Sequence, residues 1–215
     1  MAAIASALVA GTTLASAAPA AGEDGADTFN VAAGTTVTGT NSGVVTISGT
    51  TSAGTLTITC TLSTFTGKTG TTLKIGIAPP VFADASGAPC TDNFGQTDTF
   101  KSNSTNGKWS LTEKDFTNNG AGDEGLPEPN ATGDKMIITI PKAGLVATNS
   151  FAAGCTATLA PSAAIHIKGK YNDSGTLTIT NASVPIATSA ACPVQATSAT
   201  VTVKYTLSPA VFDQG

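Results

Sequence analysis

Arginine is absent from this chain: its ten basic residues are all lysine, set against fourteen carboxylates, for a formal net charge of −4. Without the planar guanidinium fork that grips phosphate, and with no excess of positive charge, nucleic acid is not an expected partner. Histidine occurs once, as His166, and charged residues make up only 11% of the chain, so the parts for acid–base catalysis are few. Aromatic residues are scarce as well, at 5%, which lowers the case for a sugar-binding face built on exposed rings. Helix caps followed by apolar residues at helical spacing are almost missing. No later stretch reaches the 18 or more apolar residues of a membrane-spanning helix, and the lack of aromatic girdles and of long strands argues against a membrane barrel.

What is plentiful is threonine in alternation with apolar residues. In Thr55-Leu56-Thr57-Ile58-Thr59-Cys60-Thr61-Leu62 every second side chain points the same way, so Leu56, Ile58, Cys60 and Leu62 share one face and the threonines the other. The pattern returns at Thr176 to Thr180 and at Thr200 to Leu207. Such alternation predicts antiparallel sheet wetted on one side. Strands are expected at 35–38, 44–48, 55–62, 72–77, 97–101, 108–112, 135–140, 155–159, 164–171, 176–181 and 199–207, between turn signals such as Asn41-Ser42-Gly43, Asn106-Gly107 and Asp173-Ser174-Gly175. Asn106-Gly107 carries the strongest hairpin signal, and Asn172 to Gly175 a second. The expected class is all-β, an antiparallel β-sandwich of about eleven short strands.

Residues 1–21 are small and apolar and run into Ala15-Ser16-Ala17, a form that signal peptidase accepts, so they read as a secretory leader. The first charge is Glu23, so the basic start of such a leader is missing. An alanine-rich helix packed on the domain is the alternative, weakened by Gly11, Thr12 and Thr13. Residues 22–215 form the expected mature domain, outside the cytoplasm and possessed of enough chain to bury about 70% of its unfolded surface.

Cys60, Cys90, Cys155 and Cys192 fit that address. Sequential closure predicts two disulfides, Cys60–Cys90 and Cys155–Cys192. A four-cysteine zinc site would call for close pairs that the spacing does not supply. No cofactor is expected.

The hexapeptide Gly54 to Thr59 is repeated letter for letter at Gly175 to Thr180, and Pro80-Val81-Phe82 is echoed by Pro209-Ala210-Val211-Phe212. Two duplicated β units or the convergence of threonine-rich strands would each produce this, the latter more readily. A boundary between units would fall in the polar stretch 113–135, which no regular element tolerates. It holds Glu113, Asp115, Asp123, Glu124, Glu128 and Asp134, whose spacing does not match a calcium loop and reads as a solvated acidic loop.

Catalytic candidates are thin. His166 lies between Ile165 and Ile167 and shares a face with Lys168 and Lys170, as a surface residue would. No Gly-x-Ser-x-Gly elbow occurs, and pairing Asp115 with Glu124 or Asp134 in a hydrolase is not selected by spacing. Trp109, Tyr171 and Tyr205 fall on the apolar side of their strands, as core residues do.

Leu56-Thr57-Ile58-Thr59-Cys60, Ile77-Ala78-Pro79-Pro80 through Cys90-Thr91-Asp92, Thr105-Asn106-Gly107-Lys108-Trp109, Ile140-Pro141-Lys142-Ala143-Gly144 and Ser198 to Pro209 together give a chain that resembles secreted β-rich actinobacterial proteins of unknown function. The likeness covers most of the mature chain and rests on short motifs. It implies an exported, disulfide-bonded protein, transfers no activity, and departs from the pattern only in the uncharged start. The expected function is a non-catalytic extracellular module with a cell-surface structural role or a macromolecular partner, self-association through uncovered strands such as 199–207 being one form of it. A secreted hydrolase with an acidic site around 113–134 is the alternative.

Overall fold

Fifteen strands and no helix make up the described residues, which in this computed structural model are 28–51, 54–114, 135–172, 174–193 and 195–212. In chain order the strands are β1 (Thr36–Asn41), β2 (Val45–Thr51), β3 (Gly54–Cys60), β4 (Leu62–Thr69), β5 (Lys74–Ile77), β6 (Val81–Ala83), β7 (Cys90–Asp92) and β8 (Thr97–Ser102). They continue with β9 (Trp109–Lys114), β10 (Lys135–Ile140), β11 (Leu145–Asn149), β12 (Thr156–Leu159), β13 (Ile165–Asn172), β14 (Thr176–Thr188) and β15 (Ser198–Ser208). Every pairing is antiparallel, as threonine-on-one-face alternation demands.

The pairings close on themselves twice. One ring runs β1–β15–β14–β13–β10–β9–β5–β4 and back to β1, and the other runs β15–β2–β3–β7–β8–β11–β12–β14 and back to β15. The long β14–β15 ribbon belongs to both: Thr176 to Ile179 with Val203 to Thr206 lie in the first ring, and Ala182 to Pro185 with Ser198 to Val201 in the second. Between them the register shifts, so that Thr180 and Asn181 stand opposite the single residue Thr202. This is a β-bulge, with Asn181 at φ 49°. Thr202 Oγ1 locks it, accepting from Asn181 N at 3.0 Å and donating to Asn181 Oδ1 at 3.1 Å. The extra residue switches the inward positions of β14 from Leu177 and Ile179 to Val184 and Ile186.

Eight strands give a barrel whose interior is just wide enough to be filled by side chains or to hold one small molecule. The first ring is filled. Trp109, Leu111, Ile75, Met136, Leu177 and Tyr205 meet inside it, all at most 3% exposed. Glycines at inward positions make room for them: a Cβ on Gly39 would lie 2.1 Å from Phe65 Cζ, one on Gly67 2.7 Å from Ile77, and one on Gly169 2.5 Å from Leu177. Phe65 packs edge-on against Tyr205 with ring centroids 5.2 Å apart. Tyr205 is hydrogen-bonded to Ser63 Oγ at 2.7 Å, Tyr171 to the backbone of Val211, and Trp109 Nε1 donates to Asn103 O at 2.8 Å. All three aromatics are core residues. Where the rings meet, beside Phe65, Ile167 and Val203, the free space is about 40 Å³.

The all-β, antiparallel class is as expected, but there are fifteen strands where about eleven were anticipated. The run 55–62 is two strands, divided at Thr61, where the chain leaves the second ring and enters the first; Ser63 and Phe65, not Leu62, take the inward positions of β4. Asn106-Gly107 is a turn, with Gly107 N donating to Ser104 O at 3.2 Å, yet it joins no hairpin. β8 pairs with β7 and β11, β9 with β5 and β10, so this turn carries the chain between rings. The hairpin at 172–176 does form, with Gly175 at φ 79° and Asn172 opposite Thr176. β9 and β10, which flank the acidic stretch, are neighbours in the first ring, and each ring draws strands from both halves of the sequence. The repeated hexapeptides fall one in each ring, at β3 and β14.

Candidate functional site: an apolar chamber in the second ring

The second ring encloses a cavity of about 590 Å³, to which all eight of its strands contribute lining residues. Its wall is made of side chains such as Ile47, Leu56, Ile58, Phe100, Leu159 and Ile186. Among them stand small residues, Gly49 on β2, Ala147 on β11, Ala157 on β12 and Ala199 on β15. Small inward residues leave space unless a large neighbour fills it, as Phe65, Ile77 and Leu177 fill that beside the glycines of the first ring; here the centre stays open. Gly49 has no tight neighbour, since a Cβ there would meet only Ser198 O, at 3.7 Å.

The hairpins β2–β3, β7–β8, β11–β12 and β14–β15 all turn at the end of this ring remote from the first ring, where the cavity reaches the surface. Two exposed aromatics stand there. Phe94, in the β7–β8 turn, is 63% exposed, and Phe151, after β11, is 70% exposed; both line the cavity. Each is held by the side chain two residues before it. Asp92 Oδ1 accepts from Phe94 N at 2.9 Å and Gln96 N at 2.8 Å, and Asn149 Oδ1 accepts from Phe151 N at 2.8 Å.

The same residues form the polar part of the wall. Asn149 Nδ2 donates to Asp92 Oδ2 at 3.2 Å and to Asp98 Oδ1 at 3.0 Å, so one amide bridges two carboxylates. Asp98, directly opposite Asn149 in the β8–β11 register, is 2% exposed, and its Oδ2 has no hydrogen-bond partner among the described residues. Burial pushes its carboxyl up to about 6 against the pull of the Asn149 hydrogen bond, and the charge of Asp92 adds to the rise. Asp92 and Asp98 are the only charged residues among the described lining residues.

Both disulfides brace this ring. Cys60 on β3 stands opposite Cys90 on β7, with Cα atoms 4.7 Å apart, and Cys155 before β12 joins Cys192 beyond β14 at 4.4 Å. The pairing is that of sequential closure, and Cys155 and Cys192 also line the cavity.

The other residues singled out by sequence lie elsewhere. His166 is on the outer face of β13, exposed, with Nδ1 3.1 Å from Thr139 Oγ1. Glu113, next to last in β9, is buried, 4% exposed. Asp115, Asp123, Glu124, Glu128 and Asp134, and the leader segment 1–21, fall outside the described residues. No group of three or more metal-ligating side chains occurs among the described residues. Sequence reasoning missed the chamber, Asp98 and Phe94; alternation marks inward positions but does not say how much space they leave. No protein-family model, curated protein or solved structure matches this chain.

Proposed function

We propose that this protein is a non-catalytic extracellular module that binds an apolar small molecule inside its second ring. The observation that carries this reading is the contrast between two eight-stranded rings of one chain, one filled by side chains and the other enclosing about 590 Å³ behind an apolar wall. That volume lies in the range of about 300–1,000 Å³ typical of small-molecule sites, and a ligand that filled it would gain about 25 cal/mol for each Å² of apolar surface withdrawn from water. The exposed Phe94 and Phe151 offer an apolar approach at the mouth. The two disulfides fit an oxidising, extracellular setting, and the small, apolar first 21 residues fit export. Self-association through β15 is less favoured, because β15 is hydrogen-bonded on one side to β14 and on the other to β1 and β2.

The test is a fluorescence titration with N-phenyl-1-naphthylamine, a neutral apolar probe that brightens out of water. Saturable binding at one probe per chain, lost when Gly49→Phe places a ring in the cavity while the melting temperature holds, is the expected result. Unsaturable emission, or equal binding by the variant, would refute the reading.

A further inference from the structure

The wall of the chamber is chemically lopsided. Almost all of it is hydrocarbon, yet at the mouth it carries two carboxylates bridged by one amide, with no lysine among the described lining residues. A buried carboxylate oxygen without a partner costs free energy, and among the described residues Asp98 Oδ2 is such an atom. Asn149 cannot relieve it, because its amide nitrogen already serves Asp92 Oδ2 and Asp98 Oδ1 and its amide oxygen accepts from Phe151 N. The missing element is a donor, and beside a second carboxylate a positively charged donor is favoured over a neutral one.

We infer that the chamber takes an amphiphile with an apolar body and a cationic amine head, the body lying against Ile47, Ile58 and Leu159 and the head at Asp98 and Asp92. An ammonium group supplies several donors and opposes both negative charges, whereas a fatty carboxylate brought to the same place would meet repulsion. The inference rests on the proposed apolar binding and adds the ligand's charge to it. The groups that face Asp98 are Asp92 from β7 and Asn149 from β11, so ionisation of Asp98 meets no competing cation from the described wall. Because its carboxyl titrates near about 6, the site is negatively charged at pH 7.5 and largely loses the Asp98 charge at pH 5.

Displacement of N-phenyl-1-naphthylamine from the full chain by dodecylamine, dodecanol and dodecanoate separates the two levels of the argument. At pH 7.5 dodecylamine should bind about tenfold or more tightly than either of the others, the equivalent of about 1.4 kcal/mol. The amine-to-alcohol ratio should fall below about threefold at pH 5, and in Asp98→Asn at pH 7.5, as expected for loss of a charge-assisted contact. Dodecanol binding without an amine advantage, or an advantage untouched by both pH and Asp98→Asn, would overturn this inference and leave apolar binding standing. Failure of the probe and of all three alkyl compounds to bind would overturn both.

Discussion

Asp98 shows how much one residue depends on where the strand places it. On an open strand its side chain would be solvated; in the β8–β11 register it faces inward at 2% exposure, and its carboxyl rises to about 6. An unfolded aspartate titrates near about 3.9, so between that value and about 6 the folded protein holds the proton more firmly than the unfolded chain does. This residue therefore favours folding at low pH, and the advantage is lost as pH rises through about 6. Replacement Asp98→Asn removes the charge and with it the penalty at high pH. In scanning calorimetry the melting temperature of the variant, relative to the parent, should be higher at pH 7.5 than at pH 4.5 by roughly 2–4 °C. A difference independent of pH would contradict the assignment. Alternation could not have marked Asp98 from sequence, since in Thr97-Asp98-Thr99-Phe100-Lys101 one inward residue is an acid and the pattern looks polar on both faces. Trp109 and Tyr205, by contrast, were readable as core because apolar neighbours two residues away (Leu111; Val203 and Leu207) repeat the signal, and Tyr171 because it shares its face with Ile165 and Ile167.

At the scale of the element, glycine separates the rings. Gly39 is overlain by the ring of Phe65, which is itself fixed by Tyr205, so Gly39→Ala should cost about 1–3 kcal/mol in urea unfolding as an overpacked core does. Gly49→Ala, whose new methyl enters the chamber, should be neutral or mildly stabilising. Equal effects of the two substitutions would show that the rings are packed alike. The disulfides give a second contrast, since both lie in the hollow ring. Cys155→Ala with Cys192→Ala opens a loop of separation 37, worth up to about 4 kcal/mol in the loop-entropy estimate. Amide exchange should then quicken in β11, β12 and the outer half of β14 while β5, β9 and β10 keep their protection; uniform loss of protection would contradict independent bracing. Strands with clean alternation, β3, β10, β13 and β15, were legible in the sequence. β6 and β7, three residues each, were not, nor was β11, and β14 was read only to residue 181 because the bulge at Thr180 and Asn181 reverses the face on which apolar residues appear.

For the molecule as a whole, what the sequence conveys is class rather than closure. Threonine on one face and hydrocarbon on the other predicts antiparallel sheet, and the even set of cysteines predicts two bridges, but neither indicates that strands from both halves of the chain interleave into two rings around a shared ribbon. Closure depends on pairings between distant residues, such as β1 with β15, for which local pattern holds no information. The chamber is a consequence of closure, so no local pattern in the sequence marked it. Two rings of equal strand number and unequal filling are the physical core of the account, because the proposed binding rests on the space that only one of them leaves. Xenon tests this directly, since the gas enters dry apolar cavities of sufficient size and is displaced from filled ones. In a crystal equilibrated under xenon pressure, density should appear inside the second ring among Ile47, Ile58, Leu159 and Ile186 and be absent from the first ring around Trp109 and Leu111. Xenon in neither ring, or in both alike, would contradict the claim.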